Sequence, residues 1–156
     1  MTMNANIYLA SDHAGIELRS AVAAYIEAKG LHVVDLGPDE GNSVDYPDYG
    51  EKLAMALSKD ADARGVAICG SGIGISIAVN RFPWARAALV NTVEAARLSR
   101  EHNDANVIAL GERLISHETA LACIDAFLAT DFWVAVMRGA WRSCLNYRPR
   151  LDEIVS

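Results

Sequence analysis

Cys69 opens the run Cys-Gly-Ser-Gly-Ile-Gly, in which Gly70, Gly72 and Gly74 alternate with Ser71 and Ile73. A thiol followed by closely spaced glycines combines a base or nucleophile with backbone that a ligand can approach closely. Val66, Ala67 and Ile68 form a short apolar run of the kind a parallel sheet buries, and a helical pattern resumes after Gly74. Strand, glycine turn and helix start place Cys69 at the carboxyl end of a strand, facing the N–H groups of Gly70 to Gly74. The partial positive charge of a helix start favours both an oxyanion and a thiolate. Two readings fit the segment taken alone: an anion site with a thiol beside it, and a tight turn carrying a buried cysteine.

The elements that would position this run alternate along the chain. Ile7 to Ala10 reads as a strand leading into Ser11-Asp12-His13-Ala14-Gly15, and Leu18, Val22, Ala23 and Ile26 then recur at helical spacing until Gly30. Leu31 to Leu36 is a second strand. Gly37 to Pro47 is a long polar connection that carries Asp45-Tyr46-Pro47 before a helix with Leu53, Ala54 and Leu57. The third strand ends at Cys69, and Ala85 to Val90 forms the fourth. Thr92 caps a helix through Arg100, Val107 to Leu110 is the fifth strand, and a helix runs from Ser116 to Ala129. Five strands each followed by a helix predict a parallel sheet covered on both faces, with ligands beyond the carboxyl ends of the strands.

Asp12, His13, Asp45 and Tyr46 fall on that carboxyl edge with Cys69. His102-Asn103-Asp104 instead ends the fourth helix, just before strand five, at the opposite edge. For His102 to serve the same site, a second subunit would most simply contribute it, so a homodimer enters the functional expectation. The competing reading is that His102 and Asn103 close a helix C-terminus, where histidine is favoured.

Composition bounds the remaining possibilities. With 156 residues, 52% hydrophobic and 22% charged, the expectation is one domain spanning 1–156 with a proper core. The first residues lack a signal-peptide pattern and no apolar run approaches a membrane span, so a cytoplasmic protein is expected. Cysteines 69, 123 and 144 have neither a paired nor a metal-ligand spacing, which supports no disulfide framework and no metal. A net charge of −6 without a Lys/Arg cluster argues against nucleic acid and anionic membranes as partners.

Four ordered motifs carry a family resemblance: residues 11–15 (Ser-Asp-His-Ala-Gly), 45–47 (Asp-Tyr-Pro), 69–76 (Cys-Gly-Ser-Gly-Ile-Gly-Ile-Ser) and 99–107 (Ser-Arg-Glu-His-Asn-Asp-Ala-Asn-Val). The chain resembles the type B ribose-5-phosphate isomerases, a family shared with galactose-6-phosphate isomerase subunits, from residue 6 to Phe132. The resemblance implies a three-layer α/β/α Rossmann-like sandwich with a five-stranded parallel sheet. It also implies a homodimer or tetramer with sites shared between subunits, no cofactor, no metal, and interconversion of ribose 5-phosphate with ribulose 5-phosphate.

Aldose–ketose isomerisation needs a base to move a proton between C2 and C1, stabilisation of an enediolate, and a means of opening the sugar ring. Cys69 suits the base, and Ser71 can shuttle a proton between O1 and O2. The N–H groups of Gly70, Ser71, Gly72, Ile73 and Gly74 suit an anion hole. In one branch of the family a glutamate acts as base where this chain has Ile75, which puts the chain with the cysteine branch. His102 suits ring opening, Asn103 and Asp12 can orient hydroxyls, and His13 can meet the phosphate. Arg113 matches a family phosphate ligand, and Tyr46 with Asp45 is assigned to the site. His32 and His117 read as structural, and Trp84 as a packing or interface residue. Isomerases of galactose, allose or tetrose phosphates share the core motifs, and a non-catalytic sugar-phosphate binder would keep the anion site. A nicotinamide dehydrogenase would want its Gly-x-Gly-x-x-Gly after strand one, where this chain has Asp12-His13-Ala14-Gly15.

The tail departs from the family pattern. Members follow the Phe132 position with one variable residue and Gly-Gly-Arg-His-x-x-Arg-Val, whose arginines complete the phosphate site. Here those arginines would fall at Val136 and Ala140, whereas Arg138 and Arg142 stand two residues later. The degenerate codons for Trp133 onward permit Gly-Gly-Arg-His-Ala-Gly-Arg-Val in the shifted frame. Residues 133–156 therefore read as an out-of-frame ending, with the phosphate left to His13 and Arg113.

Overall fold

A computed structural model describes residues 5–39 and 43–134. Five strands, β1 (Ile7–Ser11), β2 (Val33–Asp35), β3 (Arg64–Cys69), β4 (Ala87–Leu89) and β5 (Val107–Gly111), form one parallel sheet in the order β2-β1-β3-β5-β4. Each is followed by a helix: α1 (Ile16–Ala28), α2 (Tyr46–Leu57), α3 (Ile73–Val79), α4 (Val93–Glu101) and α5 (His117–Ala129). The predicted three-layer sandwich is the observed one. The edge strands β2 and β4 are shorter than the apolar pattern suggested: their pairing stops at Leu9–Asp35 and Ala109–Leu89, two residues before β1 and β5 themselves end.

Side chains alternate across the sheet, and this decides where the cysteine points. Val66 and Ile68 of β3 pack with Leu18, Val22, Ile26, Cys123, Ile124 and Phe127 on the face covered by α1, α4 and α5. Ala67 and Cys69 belong to the other face, with Leu53, Ala54 and Leu57 of α2 and Ile75 and Val79 of α3. Burying each large apolar side chain of this kind stabilises the fold by about 2 kcal/mol. The second face uses small residues, Ala10, Ala67 and Ala109, so α3 can sit close over the strands that end at the site. Helix α1 stops in a Schellman arrangement: Gly30 has φ +76°, its N–H donates to the Glu27 carbonyl, and the Leu31 N–H donates to that of Ile26.

The chain leaves β1 in one direction to make β2 and crosses to the other side to make β3. The β1–β3 boundary is thus a topological switch point, where a crevice opens beyond the carboxyl ends. Thr92 and Ser116 cap α4 and α5 through bonds to the N–H groups of Ala95 and Thr119, as the sequence predicts. Asp45 stands at the N-cap of α2 without a side-chain capping bond. His32 bonds Asn6, and Trp84 donates to the Ala54 carbonyl, so both serve packing of the fold. Among the described residues, no helix is long and apolar enough to cross a membrane.

Candidate active site

A cavity of about 340 Å³ lies at the switch point, lined by Asp12, His13, Ala14, Tyr46, Cys69, Gly70, Ser71, Gly74, Arg113 and Leu114. Its floor is the end of β3. The Cys69 sulfur is nearly buried and accepts the Gly72 N–H at 3.1 Å, which fixes its position against the turn. The Ser71 Oγ accepts the Ile73 N–H at 3.2 Å. Two of the five N–H groups expected to cradle an anion are therefore spent on the site's own side chains. Gly70, Ser71 and Gly74 supply the N–H groups that a ligand could use.

Crowding explains the glycines better than flexibility does. Gly72 alone in the run has a left-handed φ, +76°, and a β-carbon there would also stand 2.6 Å from the Leu89 side chain. At Gly74 a β-carbon would meet the Tyr46 ring at 2.8 Å, so the ring lies directly on this backbone and forms a wall of the cavity. Gly111, at the end of β5, passes so close to Ser71 that a β-carbon would be 2.5 Å from the Ser71 carbonyl carbon. Sequence reasoning missed Gly111. Its only signal was a glycine closing an apolar strand level with Cys69.

The turn between β1 and α1 supplies Asp12 and His13. Asp12 Oδ1 accepts the N–H groups of Ala14 (2.9 Å) and Gly15 (3.2 Å), so this carboxylate shapes the turn as well as facing the cavity. The His13 Nδ1 lies 2.9 Å from the Val44 carbonyl. A carbonyl only accepts, so Nδ1 carries the proton and Nε2 remains for a ligand. The turn after β5 supplies Arg113, whose N–H donates to the Gly70 carbonyl, while the Glu112 N–H donates to that of Cys69, both at 3.0 Å.

His102 and Asn103 are not brought to this cavity. Cys69 is level with Gly111, the last residue of β5, whereas His102 precedes the first residue of that strand. About 13 Å of strand separates the two edges at ordinary rise per residue. His102 closes α4, is about 39% exposed, and has Nε2 4.0 Å from Glu101. Its loop is held by Asp104, at φ +47°, whose carboxylate takes the buried Arg100 guanidinium at 2.8 Å and that of Arg86 at 3.1 Å. Asn103 is exposed. Gly72 and Ile73 do not line the cavity. Arg138 and Arg142 lie outside the described residues. Among the described residues, no group of three or more His, Cys, Asp or Glu could hold a metal ion. Burial pushes the Cys123 thiol up, in keeping with an inert core cysteine.

A model of the Ribose/Galactose Isomerase family matches residues 7–139. The chain belongs to that family. Among curated members, it is 42% identical over 133 residues to the probable ribose-5-phosphate isomerase B of Mycoplasma pneumoniae, covering 85% of this chain and 88% of that protein. To the ribose-5-phosphate isomerase B of Escherichia coli it is 38% identical over 121 residues, covering 78% and 81%. The solved ribose-5-phosphate isomerase B of Clostridium thermocellum superposes with a TM-score of 0.83 at 44% identity, covering 88% of this chain and 91% of that one. The family member from Mycoplasma genitalium, solved with bound ribulose-5-phosphate, superposes with a TM-score of 0.83 at 34% identity over 98% of this chain and 95% of that one.

Proposed function

We propose that this chain interconverts ribose 5-phosphate and ribulose 5-phosphate in the switch-point cavity, with residues of a second copy completing the site. The observation that carries this reading is the gathering of Cys69, Ser71, Asp12, His13 and Arg113 around one space sized for a small ligand. The Mycoplasma genitalium relative with bound ribulose-5-phosphate supports the choice of substrate.

In this reading Cys69 takes the proton from C2 of the aldose and returns it to C1, and the electron pair passes through an enediolate. Ser71, whose Oγ already accepts one N–H, retains its own proton for exchange between O1 and O2. Negative charge developing on oxygen falls to the N–H groups of Gly70, Ser71 and Gly74. The Arg113 guanidinium and the His13 ring, protonated on Nε2 as well as on Nδ1, donate to the phosphate, the bidentate fork of arginine matching its oxygens. Asp12 orients a hydroxyl, and Tyr46 closes one side.

His102 and Asn103 come from the second copy, where His102 would take the C1 hydroxyl proton and pass one to the ring oxygen to open the furanose. Exposed Ile73, Ile77, Leu89 and Val93 lie around the α3 and β4 side of the site and offer that copy an apolar contact.

A proton-exchange assay across pentose, hexose and tetrose phosphates tests the reading, with ribose 5-phosphate expected to exchange fastest. Cys69→Ala should lose at least about 100-fold in rate while sugar-phosphate binding persists. A variant rate within about tenfold of the parent would remove Cys69 as the base. A faster hexose or tetrose phosphate would change the substrate.

A further inference from the structure

Glu112 joins the end of β3 to the starts of α1 and α5. Its backbone N–H is bonded to the Cys69 carbonyl. Its carboxylate spans outward: Oε2 accepts the Leu18 N–H at 2.8 Å, and Oε1 accepts from His117 Nε2 at 2.9 Å. Leu18 lies in the first turn of α1, whose N-cap residue, Gly15, has no side chain to cap with. Glu112 supplies that missing acceptor from 94 residues away, with a charge that suits a helix start. His117 opens α5, so the same carboxylate ties the turn after β5 to two helices and leaves it little freedom. The next residue in that turn is Arg113.

We propose that Glu112 is a positioning residue for the anionic end of the substrate, acting through Arg113. Anchored on both sides, the turn holds the Arg113 guanidinium over Gly70, at the mouth of the cavity. The proposal rests on the reading of Arg113 as a phosphate ligand. Without the clamp, the arginine backbone keeps its bond to Gly70 but the turn gains freedom, and binding must order it again.

A double-mutant cycle separates this role from simple stabilisation of α1. Glu112→Ala should raise the KM for ribose 5-phosphate about tenfold with kcat within about threefold of the parent. Glu112→Gln keeps an acceptor for Leu18 and should restore KM to within about threefold. In an Arg113→Ala background, Glu112→Ala should raise KM no further, because its effect passes through the arginine. An equal rise in both backgrounds, or a lower Tm with unchanged KM, would overturn the proposal. The same cycle read as the Kd of inorganic phosphate by calorimetry requires no turnover, so it stands apart from whether ribose 5-phosphate is the substrate. A parent that binds phosphate no tighter than Arg113→Ala would also overturn it. Should Glu112→Ala fail to fold, His117→Ala removes one of the two anchors and carries the cycle, with a rise of about threefold expected only where Arg113 is present.

Discussion

The guanidinium of Arg113 lies against the backbone of Gly70, with Nη1 3.1 Å and Cζ 3.3 Å from where a β-carbon on Gly70 would stand. A second glycine of the site, Gly111, is crowded instead by the main chain of Ser71 at 2.5 Å. The two contacts differ in what can yield, an arginine tip in one and backbone in the other.

Gly70→Ala and Gly111→Ala should accordingly separate binding from stability. At Gly70 the guanidinium can move aside, so the fold should survive with Tm close to the parent while KM for the sugar phosphate rises about threefold or more. At Gly111 the new methyl meets main chain, which should cost about 3 kcal/mol and displace Ser71. Thermal melts and steady-state kinetics on both variants check this. A Gly111→Ala protein as stable as the parent would contradict the backbone crowding.

The separation of His102 from Cys69 along β5 leads to a complementation experiment. Cys69→Ala and His102→Ala should each be nearly inactive alone. Mixed under conditions of subunit exchange, they should recover activity, because a hybrid dimer carries one intact site. Mass spectrometry would verify the exchange, and hybrid dimers without activity would place both residues in one chain's site.

Thiol labelling should distinguish the two cysteines of the described residues. Cys69 lines the cavity, whereas Cys123 lies on the fully buried face of α5 with its thiol pushed up by burial. A raised pKa leaves less thiolate at any given pH, and thiolate is the reacting form. Iodoacetamide at pH 8 should therefore modify Cys69 well before Cys123, and bound sugar phosphate should slow that reaction. The sign for Cys123 also sets an alkaline limit: its protonated form is favoured by folding, so that contribution fades as pH rises through the folded pKa. Peptide mapping reads the first outcome and alkaline melts the second.

The tail offers a genetic test. If residues 133–156 are read out of frame, the gene should spell Gly-Gly-Arg-His in the shifted frame after the Phe132 codon. Restoring that frame should then lower KM about tenfold by supplying further phosphate ligands. Codons that cannot spell the motif, or an unchanged KM, would remove this explanation of Arg138 and Arg142.

Local chemistry made most of the architecture legible in the sequence. Apolar runs over 7–10, 66–68 and 107–110, helical spacing in 18–26, and capping residues at Thr92 and Ser116 are short-range signals, and the elements follow them to within a residue or two at the central strands. The same signals put Asp12, His13, Tyr46 and Cys69 on one edge of a parallel sheet, where the cavity opens, whereas Arg113 was marked only by the family resemblance. The tertiary structure alone decided contacts between residues far apart in the chain. Glu112 caps a helix 94 residues upstream, Gly111 makes room for Ser71, the Tyr46 ring rests on Gly74, and buried Arg19 reaches Ser11, Asp35 and the Pro38 carbonyl. Periodicity and turn propensity describe a residue's immediate neighbours along the backbone. Whether an N–H is spent on a nearby sulfur or hydroxyl, as at Gly72 and Ile73, or stays available to a ligand depends on packing in three dimensions, which no local pattern encodes.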